Sequence, residues 1–127
     1  MNVVDSSAWL SYFAGDRNAG AFSRPIEAVD KLVVPSITLT EVFKCIMRQR
    51  TEAEALEAIA HMELGAVAPL DSSLAIDAAW YGVSHKLPLA DSIVYATARQ
   101  CGALVWTQDV DFKGLSGVRY FPAGHGA

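Results

Sequence analysis

Five short apolar runs punctuate the chain, each too short for a helix, and the first four are separated by residues with helical spacing. They occupy residues 2–5, 32–35, 66–69 and 103–106, with a candidate fifth at 118–121. Strands that alternate with helices reach one another through crossover connections, so they pair in parallel, and a parallel sheet is covered on both faces. Helical patterns fill the intervals at 8–13, 19–29 (in spite of Pro25), 41–50, 51–64, 71–83 and 89–100. Thr51, with Glu54 three residues on, has the form of a capping box; Asp71 or Ser72 can cap the next helix, and Gly102 stops the last. The expected fold is a three-layer α/β/α domain around a short central parallel sheet of four to five strands. The 127 residues suffice for one such domain, 1–127, in which 122–127 form a loose tail.

No apolar run approaches the roughly 20 residues that a membrane helix needs. The start, Met1-Asn2-Val3-Val4-Asp5, has neither the basic region nor the long apolar stretch of a secretory signal. Cys45 and Cys101 lie in apolar helical patterns, outside any CxxC motif or zinc-ligand spacing, and read as buried free thiols. These features predict a cytoplasmic chain with no membrane contact. The formal net charge of −4 taken alone argues against a nucleic-acid binder, because phosphate contacts need Lys and Arg. The charge is unevenly placed, however: Lys44, Arg48 and Arg50 crowd one short stretch. A nuclease also needs acids at its centre to hold metal, and these lower the total.

In open α/β sheets, ligands bind outside the carboxyl ends of the strands. Four acids fall just there. Asp5 ends the first strand, Glu41 follows the second at the expected start of a helix, Asp91 lies near the start of the helix at 89–100, and Asp109 follows the fourth strand. Asp111 adds a second acid beside Asp109. Each has a structural alternative: Asp5 as a helix cap, Glu41 as a residue favoured by the helix dipole, Asp109 and Asp111 as turn residues. Asp91 sits among Leu87, Leu89, Ala90, Ile93 and Val94, where a carboxylate needs a partner. Four equivalent topological positions are hard to obtain from caps alone. Clustered carboxylates repel and lose hydration, so some are protonated unless a cation joins them. Mg²⁺, a hard cation held by carboxylates, water and phosphate, is the natural candidate.

The stretches that carry these acids are Val4-Asp5-Ser6-Ser7-Ala8, Thr40-Glu41-Val42, Leu87-Pro88-Leu89-Ala90-Asp91-Ser92 with Ala96-Thr97-Ala98, and Trp106-Thr107-Gln108-Asp109-Val110-Asp111-Phe112. As an ordered set over residues 2 to 121, they resemble the PIN-domain family, in particular the VapC-type toxins of bacterial toxin–antitoxin pairs. The resemblance implies an endoribonuclease dependent on Mg²⁺ or Mn²⁺, with Asp5, Glu41, Asp91 and Asp109 as its acidic site. Asp111 matches a more variable position, while Ser7 and Thr107 are supporting hydroxyls that orient carboxylates. It also implies an RNA substrate, a homodimer and a cognate antitoxin, typically a DNA-binding protein whose C-terminal segment covers the active site. The chemistry would be attack by a metal-activated water, oriented by Asp91 or Asp109, leaving a 3′-hydroxyl and a 5′-phosphate.

Lys44 and Arg48 lie three and seven residues after Glu41, on one helix face, where they either reach substrate phosphates or form a solvated basic surface. Trp9, Tyr12 and Phe13, like Trp80 and Tyr81, read as core or dimer packing rather than a base-stacking platform. His61, His85 and His125 are scattered; the first two read as solvent-side residues and the third falls in the tail, which argues against a histidine-driven mechanism. The alternative class is a non-catalytic Mg²⁺-binding module of the receiver type, which expects paired acids after the first strand and an acid after the third. Val3-Val4 precedes a lone Asp5, and no acid follows the third strand until Asp71. A phosphatase needing Asp-x-Asp finds only Asp5-Ser6-Ser7. A pure protein-interaction module, with acids that only cap helices, is the remaining reading.

Overall fold

A computed structural model describes residues 1–124, so the end of the expected tail, with His125, lies outside the described residues. Five strands, β1 (Asn2–Val4), β2 (Leu32–Pro35), β3 (Ala66–Ala68), β4 (Leu104–Thr107) and β5 (Val118–Tyr120), alternate with six helices. The helices are α1 (Ser6–Ala14), α2 (Ala19–Glu27), α3 (Ser36–Gln49), α4 (Glu52–Met62), α5 (Ser72–Ser84) and α6 (Leu89–Cys101). All neighbouring strands pair in parallel, in the order β3-β2-β1-β4-β5. The candidate fifth strand is real, and it pairs with β4.

Period-two alternation divides the core between the two faces of the sheet. Val4 and Val34 face a cluster with Ala8, Trp9, Phe22, Ile26, Val42 and Met62, drawn from α1 to α4. Val3, Val33 and Val105 face the opposite way, against Val94, Tyr95 and Ala98 of α6 and Phe112. The helices therefore sandwich the sheet, as the three-layer expectation requires. The chain lays β2 and β3 on one side of β1 and then returns to place β4 on the other. The switch point is the β1/β4 boundary, where an open sheet of this kind forms its crevice.

Helix α3 departs from the sequence reading: it begins at Ser36 rather than near Glu41. Hydroxyl residues favour caps because they compete for backbone groups. Here Thr38 Oγ1 donates to the Pro35 carbonyl at 2.7 Å within the first turn and is fully buried, so the hydroxyl-rich stretch is helical. Glu41 accordingly sits in the second turn. The thiols also differ from expectation, since Cys45 is only half-buried and Cys101 is exposed at the end of α6, though both are free. His61 is half-buried against the rings of Trp9, Tyr12 and Phe13, and His85 against Tyr81 and Tyr95, so neither is a solvent-side residue. Trp9 is a core residue, whereas Trp80 is 66% exposed, with Ile76, Val83 and Leu89 exposed as well. No helix among the described residues is long and apolar enough to cross a membrane.

Candidate metal centre

Asp5 leaves β1 with an extended backbone and caps α1, its Oδ1 accepting from the Ala8 N–H at 3.0 Å. The capping alternative is thus correct but incomplete. Asp71 caps α5 in the same way, accepting from the Leu74 N–H, and stays exposed. Asp5 is 2% exposed and gathers two further donors: the Ser7 hydroxyl, placed between Oδ1 at 2.8 Å and Oδ2 at 3.0 Å, and Thr107 Oγ1, which reaches Oδ2 at 2.8 Å. A cap needs neither this burial nor these hydroxyls.

Thr107, the buried last residue of β4, joins two acids. Its hydroxyl donates to Asp5 and accepts from the Asp109 N–H at 2.9 Å. Asp109 in turn caps the single 3-10 turn Val110–Phe112, accepting from the Asp111 N–H at 2.9 Å. That turn is pinned by Phe112, which is fully buried. Asp91 comes from the first turn of α6, on the other side of the crevice. The result is a cluster in which Asp91, Asp109 and Asp111 each offer a carboxylate oxygen within 4.8 Å of the others.

The electrostatics match the geometry. Burial pushes the Asp5 carboxyl up from an ordinary 3.8 to about 7, against the opposing effect of its hydrogen bonds from Thr107, Ala8 and Ser7, while the Asp109 charge adds to the rise. Burial, and then the charge of the neighbouring Asp109 carboxylate, push Asp91 up to about 8, with Asp5 and Asp111 contributing. Asp5 and Asp91 thus sit where burial and neighbouring carboxylates disfavour their own charges. The donor set fits a hard divalent cation: oxygen-only ligands, mixed buried and exposed, and a charge excess that a cation neutralises.

The sequence expectations meet this geometry unevenly. Asp5, Asp91 and Asp109 come together, and Ser7 and Thr107 hold Asp5 as supporting hydroxyls. Asp111, expected only as a supporting residue, is a member of the cluster. Glu41 is half-buried on α3 and is not among the three carboxylates that meet. Lys44 and Arg48 are exposed on the same helix. Gln108 carries no chemistry that would mark it as a site residue in the sequence, yet its N–H donates to Ser7 Oγ at 3.3 Å. Beside it a groove of about 770 Å³ opens between α1, α3 and α4, lined in part by Ser11, Asp16, Arg50, Glu54, Glu57 and His61.

The family model of the PIN domain matches residues 3–118. No curated protein matches the sequence. Among solved structures, a toxin–antitoxin complex from Klebsiella pneumoniae contains a chain that is 21% identical, with a TM-score of 0.79 over 97% of this chain and 100% of that one. VapC20 of Mycobacterium tuberculosis, a toxin that cleaves the sarcin–ricin loop, is 21% identical, with a TM-score of 0.76 over 93% of this chain and 97% of that one. A chain of DNA-bound VapBC from Salmonella typhimurium is 15% identical, with a TM-score of 0.72 over 96% of this chain and 98% of that one. At these identities the likeness is one of fold.

Proposed function

This chain belongs to the PIN domain family, and on that premise we propose that it is a metal-dependent endoribonuclease, the toxin of a toxin–antitoxin pair. The observation that carries this reading is the convergence of Asp91, Asp109 and Asp111 within 4.8 Å, backed by a buried Asp5. Asp91, Asp109 and Asp111 would hold Mg²⁺ or Mn²⁺, with Asp5 and Glu41, the other acids expected at the site, completing its charge.

When bound, such a cation polarises a scissile phosphate and makes water a competent nucleophile at neutral pH. The remaining work falls to the chain. Asp5, held by Ser7, Thr107 and the Ala8 N–H, is fixed in one orientation. Asp91 or Asp109, whose carboxylate oxygens lie within 4.8 Å of one another, would orient or deprotonate the attacking water. Lys44 and Arg48 would bind RNA phosphates flanking the cut. The neighbouring groove, where Phe13 and Ile46 lie beside Asp16, Arg50, Glu54 and Glu57, offers the mixed apolar and charged lining that a protein segment would use, which supports an antitoxin partner. The homodimer and the cytoplasmic location belong to the same proposal.

The test is cleavage of a mixed RNA pool by the purified chain with Mg²⁺, with EDTA, and by a folded Asp5→Asn variant. Cleavage in the first case alone is the expected result. Cleavage that survives EDTA or the substitution overturns the reading.

A further inference from the structure

Asn18 occupies the N-cap of α2, a position where Asn ordinarily accepts a hydrogen bond from the first turn. It makes no such bond. Its side-chain Nδ2 instead donates to Gln108 Oε1 at 2.9 Å and to the Pro122 carbonyl at 2.9 Å, partners 90 and 104 residues away in the chain. Gln108 is tied to the first strand–helix turn as well, through its N–H to Ser7 Oγ at 3.3 Å. It stands between Thr107, which holds Asp5, and Asp109. The turn that carries Asp109 and Asp111 is thereby fastened at its start from three directions: β1–α1, the α1–α2 turn and the segment after β5. The α1–α2 turn is itself braced by Asp16, whose Oδ1 accepts from the buried Ser11 hydroxyl and from the Asn18 N–H.

Resting on the metal-centre reading above, we infer that Asn18 and Gln108 form a positioning pair that fixes Asp109 and Asp111 relative to Asp5 and Asp91, and so sets metal affinity without touching the metal. Residues that orient ligands have measurable effects even when they do not touch the ion. Two polar side chains that act through one bond lose that effect together rather than separately.

Mn²⁺ binding to the full chain, followed by electron paramagnetic resonance, reads this directly. Asn18→Ala and Gln108→Met should each weaken Mn²⁺ binding on the order of tenfold, and the double variant should be no weaker than the worse single one. Gln108→Glu keeps an oxygen for Asn18 but adds a charge. It should outperform Gln108→Met by more in the native Asn18 background than in Asn18→Ala. RNA cleavage at limiting Mg²⁺ should show a lowered kcat with unchanged KM, restored at saturating Mg²⁺. Circular dichroism establishes folding, and because the two substitutions lie on different elements, either one carries the test alone. Native affinity in the single variants, additive losses, or a Glu gain independent of Asn18 would overturn the pair. If wild type binds no Mn²⁺, or Asp5→Asn binds it as wild type does, the metal centre fails and takes the pair with it. If Asp5→Asn loses binding while the Asn18 and Gln108 variants keep it, only the pair fails.

Discussion

Replacing Asp5 by Asn should remove the activity and stabilise the fold, and the size of that stabilisation follows from one carboxyl group. Asp5 is 2% exposed and its carboxyl titrates at about 7 rather than 3.8. Between about pH 4 and 7 the native state therefore holds a proton that the unfolded chain has released, so metal-free stability falls as pH rises through that window. Above it, the buried charge costs the native state on the order of 4 kcal/mol, at 1.36 kcal/mol per pKa unit. Asn keeps the oxygen for the Ala8 N–H and carries no charge. Ser7 Oγ can keep donating to that oxygen, but part of the benefit is offset because the Thr107 hydroxyl must turn to accept from the new amide, leaving a net gain of roughly 1–3 kcal/mol. For a chain of this size that is about 3–10 °C in Tm. Thermal unfolding in EDTA should show Asp5→Asn melting above wild type at pH 8, with the gap closing near pH 4, where the native carboxyl is also neutral. Adding Mg²⁺ at pH 8 should raise the wild-type Tm and leave that of the variant in place. A variant that melts at or below wild type at pH 8, or a gap that does not change with pH, would refute the account of Asp5 as a charge held for a cation.

Asp91→Asn and Asp109→Asn should each lower Mg²⁺-dependent cleavage at least about a hundredfold, beyond what outer residues cost, in an assay at saturating RNA. Thr107→Val removes the hydroxyl that bridges Asp5 and the Asp109 N–H, costing about 1–3 kcal/mol in denaturant unfolding, and Thr107→Ser should restore most of it. The Lys44→Ala/Arg48→Ala double variant should bind RNA more weakly, and its log–log salt slope should flatten by about 0.7 for each phosphate it no longer neutralises; an unchanged slope rejects the phosphate role. Gly117→Ala should destabilise the chain by roughly 1–3 kcal/mol with native Mn²⁺ affinity, because Gly117 has φ +76° and a Cβ there would strike the Arg99 guanidinium.

Much of the fold was readable because it rests on local pattern. β2 falls on residues 32–35 as expected, α4 starts behind the Thr51 cap, and α6 stops at Gly102. These signals act over a few residues, through apolar alternation, a hydroxyl that accepts from the first turn, and a glycine in the left-handed region. The start of α3 misled because hydroxyl residues favour caps in isolation, whereas here Thr38 is buried in the first turn with its hydroxyl satisfied by the Pro35 carbonyl. The misplaced thiols and histidines have the same origin, since periodicity reports which face a residue shares but not how deeply the neighbouring layer covers it.

The sequence alone determined the strand–helix alternation, the parallel sheet, and the placement of acids after its strands, because each is written in spacings of two to four residues. It also supplied the ordered motifs by which the PIN family is recognised. Only the tertiary structure decided which acids meet. The β1/β4 switch point brings Asp5 to Thr107, α6 carries Asp91 across to Asp109, and the Phe112-anchored turn swings Asp111 in while Glu41 stays outside the three. Burial then raises the carboxyls of Asp5 and Asp91, and the amide of Asn18 fastens the turn from 90 residues away. Such distances and dielectric effects arise from packing between segments remote in the chain, and no local spacing encodes them.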